Sequence, residues 1–304
     1  MEVITAQCHS DHPMGDPSRV GEARRRAAQA AADCGLDDVE AGRLAIIVNE
    51  LGNNLLQHAR SGRLLVSARP DRREVEVITI DSGPGIADID RCLGDGYSTG
   101  GTPGTGLGAV RRLAQDFDIH SSVPDGTIVV ARVRSASAPP APRGFAIGAV
   151  SLAAPGESVC GDSWAVAVDG HRAALLVADG LGHGPDAAEA SQAAVAEFGK
   201  DPLAAPRRQV ERLHARLRAT RGAALSVMVA DAEAGTIRTA GAGNIFGRVL
   251  SGIEDRTLLS QHGTAGVTIR TPEETGIAWP PHALLVACSD GIETRWKPEL
   301  LRPV

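Results

Sequence analysis

Apolar residues follow two rhythms along this chain. Leu44, Ile47, Val48, Leu51 and Leu55 recur at helical spacing and predict a helix over residues 37–59. Residues 17–34 also read as a helix, stopping before Gly35, which suits the position just past a helix end. Strands are predicted over residues 63–68 and 74–80, then a helix from about Gly106 to Asp116, then strands over 117–122 and 126–133. Beyond them, runs over 146–152 and 163–168 read as strands, and two continuous apolar runs, 173–178 and 283–287, as strands buried on both faces. Helices over 185–199 and 206–218 separate the earlier strands from later ones over 224–230 and 236–240. Helices and strands mix without a regular βαβ rhythm, so the fold class is α+β.

The pattern breaks once, at residues 135–143, SASAPPAPR, a stretch rich in Pro, Ala and Ser that reads as a short, semi-stiff linker. It divides the chain into residues 1–134 and 144–304, each of ordinary domain size. Composition adds exclusions. No run of about 18 apolar residues exists, which excludes a membrane-spanning helix. The opening MEVITAQCHSDHP lacks the features of a secretion signal. Five scattered cysteines (Cys8, Cys34, Cys92, Cys160, Cys288), never spaced as CxxC, point to a reducing, cytoplasmic setting and away from structural zinc. A net charge of −6 gives no reason to expect nucleic acid or an anionic membrane as partner. Lysine occurs only at Lys200 and Lys297, neither in a GxxxxGK[ST] loop, so a Walker-type nucleotide site is excluded.

Three motifs in the first part carry chemistry. Glu50, Asn54 and His58 are four residues apart, which places them on one helix face; a carboxylate and a carboxamide so stacked can orient a hydroxyl and complete a Mg²⁺ shell. Asp81, at a strand end, begins Asp81-Ser82-Gly83-Pro84-Gly85, where an exocyclic amine could be read beside a tight glycine turn. Gly104-Thr105-Gly106-Leu107-Gly108 leads into a helix whose free N–H groups suit phosphate. Each alone has an ordinary reading, as a solvated helix face or a turn. In this order, with Gly126-Thr127 near the end, they resemble the N, G1 and G2 boxes of the GHKL ATPases, and GTGLGAVRRLAQDFDIHSSVPDGTIV is similar to small bacterial serine kinases of the RsbT type. The resemblance implies a Bergerat-type α/β sandwich using ATP and Mg²⁺, with Glu50 as catalytic base and Asn54 as a Mg²⁺ ligand. It also implies that Asp81 binds the adenine amino group and that Gly83, Gly85, Gly104, Gly106, Gly108 and Thr127 shape the ATP pocket. His58 is then structural, and residues 88–103 form a lid over the nucleotide.

In the second part, aspartates end strands. Asp162 follows Gly161 at a strand opening, Asp179-Gly180 closes ALLVA, and Asp290-Gly291 closes ALLVACS. Several carboxylates delivered this way suit Mg²⁺ or Mn²⁺, and two such ions can activate a bridging water against a phosphoryl group. Ala178-Asp179-Gly180-Leu181-Gly182-His183-Gly184, Cys160-Gly161-Asp162 and Ser289-Asp290-Gly291 together resemble the SpoIIE- and RsbX-type phosphatases of the PPM family. The resemblance implies an α-β-β-α sandwich whose binuclear Mn²⁺ or Mg²⁺ site is held by Asp162, Asp179, the Gly180 carbonyl and Asp290. His183 and Glu157 border that loop. The family's terminal Asp-Asp pair has no counterpart before Val304, so the chain is either truncated or depleted in ligands, with Glu293 a candidate substitute.

Together the resemblances imply a regulator that phosphorylates and dephosphorylates Ser or Thr on STAS-domain partners controlling a sigma factor or similar output. The alternatives are an anti-sigma factor that binds sigma through its ATPase domain, and a scaffold with degenerate sites.

Overall fold

The computed structural model describes residues 1–5, 7–94, 106–140, 144–252 and 255–292, and the chain divides into two compact units, His9–Pro140 and Met1–Cys8 with Ala141–Val304.

In the unit His9–Pro140, strands β2 (Ser10–Pro13), β3 (Gly62–Arg69), β4 (Glu74–Asp81), β5 (Asp116–Ser122) and β6 (Gly126–Arg134) form one antiparallel sheet in the order β2-β3-β4-β6-β5. Beside it lie helices α1 (Ser18–Asp33), α2 (Asp38–His58) and α4 (Gly106–Leu113), with the short α3 (Ile89–Leu93) after β4. Helix α2 starts where a capping box stops the chain from entering earlier: Glu40 N–H donates to Asp37 Oδ1 and Asp37 N–H to Glu40 Oε2, both at 2.8 Å. Its apolar stripe, Leu44, Ile47, Val48, Leu51 and Leu55, is buried against Leu64, Val66, Val75, Val77 and Val129 of the sheet. Each such side chain contributes roughly 1.5–3 kcal/mol by leaving water.

Strand alternation sends the intervening residues to the opposite face. There Glu74 and Glu76, both 1% exposed, meet arginines. Arg69 bonds Glu74 at 3.0 Å and Glu76 at 2.7 Å, Arg132 bonds Glu76 at 2.6 Å, Arg134 bonds Glu74, and His9 lies 3.1 Å from Glu76. Residues 135–140, expected as a linker that resists packing, are tied back to this unit. Ala136 N–H donates to Glu40 Oε1 at 2.7 Å, and Ser135 N–H to the Arg73 carbonyl at 2.9 Å.

The other unit is two packed sheets. Its larger sheet has the order β1-β7-β8-β9-β10-β15: β1 (Glu2–Thr5), β7 (Asp162–Asp169), β8 (Arg172–Gly180), β9 (Ala223–Asp231), β10 (Thr236–Ala242) and β15 (Thr275–Ala278). Helices α5 (Pro185–Phe198) and α6 (Pro206–Leu217) cover one face, burying Phe198, Val210, Leu213 and Leu217 against Leu176, Leu225 and Val227. The other face packs, through Met228 and Ile237, on Val249, Leu258 and Leu285 of a second sheet, β12-β11-β16, made of β12 (Asp255–Leu258), β11 (Phe246–Leu250) and β16 (Leu284–Cys288). The small pair β13 (Gly263–Thr264) and β14 (Thr268–Ile269) completes the described strands. Among the described residues, the layers are helix, sheet and sheet.

Two expectations change. The run 146–152 is not a strand, although its exposure alternates. The β7 edge it could have joined is taken by β1, paired antiparallel from Glu2↔Val168 to Thr5↔Ala165. The chain therefore starts in one unit, passes through the whole of the other, and returns. The run 283–287 is a strand, shifted by one residue, but it lies in the small sheet with Leu284 exposed rather than buried on both faces.

Candidate functional sites

In the N-terminal unit, α2 carries Glu50 and Asn54 one turn apart, both half-buried, facing the first residue of α4. A side chain at Gly106 would sit 3.2 Å from Glu50 Oε2 and 3.5 Å from Asn54 Oδ1. The start of a helix, with its unpaired N–H groups, thus meets a carboxylate and a carboxamide, an arrangement suited to phosphate beside a hydroxyl to be deprotonated. Gly108 is buried within α4, and His58 is exposed at the α2 end.

Asp81 closes β4, and its Oδ1 accepts from Gly83 N–H at 2.6 Å, which folds the turn back on the carboxylate. The glycines here answer to the chain's own backbone. At Gly85 (φ 74°) a Cβ would lie 2.4 Å from the Ser122 carbonyl oxygen, and at Gly126 (φ 126°) 1.9 Å from that of Asp81. The turn after β4 is thereby clamped to the β5–β6 hairpin. Ser121, which carries no motif signature, is the centre of that clamp. Its Oγ accepts from Ile86 N–H at 2.7 Å, donates to the Gly126 carbonyl at 3.0 Å, and lies 2.9 Å from Thr127 Oγ1. Gly104 and the expected lid from residue 95 to 103 lie outside the described residues.

In the other unit, Asp162 and Asp179 are register partners across β7 and β8, and Asp290 follows β16. Ser289 Oγ donates to Asp162 Oδ2 at 2.6 Å, which joins the β16 end to the β7 start; Asn244 Nδ2 donates to Asp290 Oδ2 at 3.2 Å. Neither Ser289 nor Asn244 was given a role from the sequence. Ser289 stands beside Asp290 in a quoted motif, whereas Asn244 carried no signal. Burial, then the charges of Asp162 and Asp290, push the Asp179 carboxyl up to about 7. The groups acting most strongly on it are all acids.

Gly180 allows this packing, since a Cβ there would lie 2.0 Å from the Ala187 carbonyl oxygen of α5. Its N–H donates to the Gly161 carbonyl at 3.2 Å. At the loop's rim His183 Nδ1 lies 2.6 Å from Glu157 Oε1, with the imidazole mostly exposed. Beside the site, Cys8 and Cys160 share a side-chain hydrogen bond that pulls Cys160 below the usual thiol range and pushes Cys8 above it.

A divalent cation fits this donor set in kind: hard carboxylate oxygens, crowded enough to raise a carboxyl, with acids as the strongest neighbours. Among the described residues, no three Asp, Glu, His or Cys side chains already close into a cage. Glu293 lies outside the described residues. No described helix is long and apolar enough to cross a membrane.

Comparison with known proteins agrees with this division. Residues 14–133 match the histidine kinase-like ATPase domain, and residues 169–299 match stage II sporulation protein E (SpoIIE). The serine/threonine-protein kinase RsbT of Bacillus subtilis (strain 168) is 33% identical over 111 residues, 36% of this chain and 84% of the relative. A chain solved in work on the bacterial stressosome, described as a modular system adapted to control secondary messenger signaling, is 30% identical, with 51% of this chain and 81% of that chain covered and a TM-score of 0.48. RsbX in complex with magnesium is 23% identical, with 48% and 73% covered and a TM-score of 0.45. The matches to a histidine kinase-like ATPase domain and to SpoIIE imply use of ATP and of a divalent metal.

Proposed function

The chain belongs to the RsbT serine/threonine-protein kinase family and joins to that unit a SpoIIE-type domain; from this premise we propose that it both phosphorylates and dephosphorylates serine or threonine on STAS-domain partners in a partner-switching pathway. The observation that carries the reading is the coexistence, in one polypeptide, of Glu50 and Asn54 against a helix start and an Asp162–Asp179–Asp290 cluster that has acids for neighbours.

For phosphorylation, Glu50 accepts the proton of the client hydroxyl as its oxygen attacks, a role its place beside the α4 start supports. Asn54 would contribute an amide oxygen toward Mg²⁺, and the N–H groups at Gly106 and Gly108 would hold phosphate. Asp81, its Oδ1 fixed by Gly83, is placed at a strand end to read an adenine amine.

For dephosphorylation, Asp162, Asp179, Asp290 and the Gly180 carbonyl would hold the divalent ions, Mg²⁺ or Mn²⁺, which when bound supply an activated water and offset phosphate charge. Ser289 fixes the Asp162 carboxylate, and Asn244 fixes Asp290. Phosphoserine carries up to two negative charges, so adding and removing it switches a docking face by repulsion and desolvation. The covalent join keeps eraser near writer and raises the effective concentration of one at the other's product.

The test is incubation of the chain with Mg-ATP and candidate STAS-domain proteins, followed by removal of ATP and addition of Mn²⁺. A phosphorylated serine or threonine that appears in the first step and disappears in the second supports the reading. The Glu50→Gln variant should keep ATP affinity and lose phosphoryl transfer by about 10²–10⁴-fold. Wild-type transfer by this variant contradicts the kinase assignment.

A further inference from the structure

Strand β1 runs antiparallel to β7, and its register, Thr5↔Ala165 at the last pair, carries the following residues along the start of β7. Cys8, three residues on, reaches the segment Cys160-Gly161-Asp162. There its sulfur is in hydrogen-bond contact with that of Cys160 and accepts from the Ala153 and Cys160 amides. Cys8 is exposed and Cys160 partly so, whereas Cys34 and Cys288 are buried, Cys34 donating to the Glu74 carbonyl at 3.1 Å. Two thiols from residues 152 positions apart thus meet at the rim of the carboxylate cluster, one of them open to solvent.

We propose that Cys8 and Cys160 are a modification site: a dithiol that peroxide converts to a reversible disulfide, damping the phosphatase unit. Peroxide transfers one oxygen to one of the two sulfurs, giving a sulfenic acid and releasing one water. The other sulfur then attacks it, the S–S bond forms, and the hydroxyl leaves with a proton as a second water. Two thiols lose two electrons and two protons, and peroxide becomes two waters. A cellular dithiol or glutathione pool reverses the step by exchange.

A disulfide requires the sulfurs at about 2.05 Å with a defined dihedral angle, closer than a hydrogen bond brings them. The adjustment falls on the Cys160 side, where residues 144–161 belong to no helix or strand. Gly161 follows at once, and its carbonyl accepts from Gly180 N–H at 3.2 Å; Asp162 comes next, held by Ser289. Closing the bond therefore shifts the backbone that positions one carboxylate of the cluster and the peptide beside another. Displaced support of this kind costs metal sites about 10–100-fold in affinity or activity.

The damping rests on the phosphatase reading above, while the disulfide does not, so the experiment reads them separately. The full chain is treated with hydrogen peroxide, free thiols are blocked with N-ethylmaleimide, and the protein is digested without reductant for peptide mass mapping. The expected result is a peptide joining Cys8 to Cys160, two hydrogens lighter than its reduced parts, that disappears with dithiothreitol. Phosphate release from a phosphoserine client, with Mn²⁺ present, should fall about tenfold on oxidation, recover with dithiothreitol, and stay constant in Cys8→Ser. Alkylation of both cysteines after peroxide, or a bridge from either to a different cysteine, overturns the site. A correct bridge with undiminished phosphate release overturns the switch. Absent phosphate release in the reduced protein overturns the phosphatase reading instead and leaves the mapped bridge standing.

Discussion

Two groups of carboxylates stand at opposite extremes in this chain, one fully buried, the other half-buried at Asp162 and Asp179 and exposed at Asp290. Glu74 and Glu76, on the sheet face away from the helices, are each met by arginines. Burial acts to raise Glu76, but its hydrogen bond to His9 and the charges of Arg69 and Arg132 outweigh it and hold the carboxyl down at about 2. Asp162, Asp179 and Asp290 have each other instead, and Asp179 is pushed up to about 7. Charges satisfied within the protein brace a sheet. Charges set against one another call for something from outside, and a divalent cation is the simplest candidate.

The largest test of this contrast swaps each carboxylate for its amide. Asp179→Asn removes a repelling charge and a metal ligand, so phosphate release should fall by about 10³-fold while the thermal midpoint without metal holds or rises. Glu76→Gln should do the opposite. It strips the arginines of their partner and lowers the stability of its unit by about 3 kcal/mol, with phosphoryl transfer and phosphate release unchanged well below the midpoint. A stabilised Glu76→Gln, or an Asp179→Asn that only unfolds the protein, breaks the comparison.

Acid gives a second, comparable effect. Because the folded carboxyl of Glu76 lies below its ordinary value of 4.5, its contribution is complete above that pH and is lost as pH falls toward 2. The shift corresponds to about 3 kcal/mol, read by denaturant titration of the N-terminal unit's transition between pH 5 and pH 2. Glu76→Gln should flatten that dependence.

Smaller again is a contrast between glycines. At Gly180 an added Cβ meets the Ala187 backbone at 2.0 Å, whereas at Gly106 it meets the end of the Glu50 side chain at 3.2 Å, which can rotate away. Gly180→Ala should cost roughly 2–3 kcal/mol and Gly106→Ala less than about 1 kcal/mol, with Mg-ATP affinity the more sensitive readout for Gly106. Equal losses of stability would mean that the α4 start is packed as tightly as the Asp179 loop.

Much of this was legible in advance because local signals agreed with the fold. The helical stripe from Leu44 to Leu55 and the Asp37 start gave α2 nearly to the residue, and strand ends gave Asp81, Asp162, Asp179 and Asp290. What stayed hidden depended on contacts distant in sequence. EVIT at residues 2–5 is too short to announce a strand, and nothing in it names β7 as its partner across more than 150 residues. Arg132 and Arg134 alternate with valines as any half-exposed strand does; only pairing with β4 brings them onto Glu74 and Glu76. Ser121 and Asn244 are an ordinary strand residue and an ordinary loop residue until the hairpin and the second sheet place them. Gly85, expected to shape the ATP pocket, has the place of its missing Cβ filled by the Ser122 carbonyl, a contact no sequence signal announces.

The central claim is that one chain carries two independent phosphate chemistries. It is tested most directly by following a single STAS-domain client through both reactions with wild type, Asp81→Asn and Asp179→Asn, using phosphopeptide mass spectrometry. The account predicts that Asp81→Asn loses phosphorylation but still clears phosphate from a pre-phosphorylated client, while Asp179→Asn phosphorylates normally and clears nothing. Clearance that survives in Asp179→Asn, or phosphorylation that survives in Asp81→Asn, would contradict it.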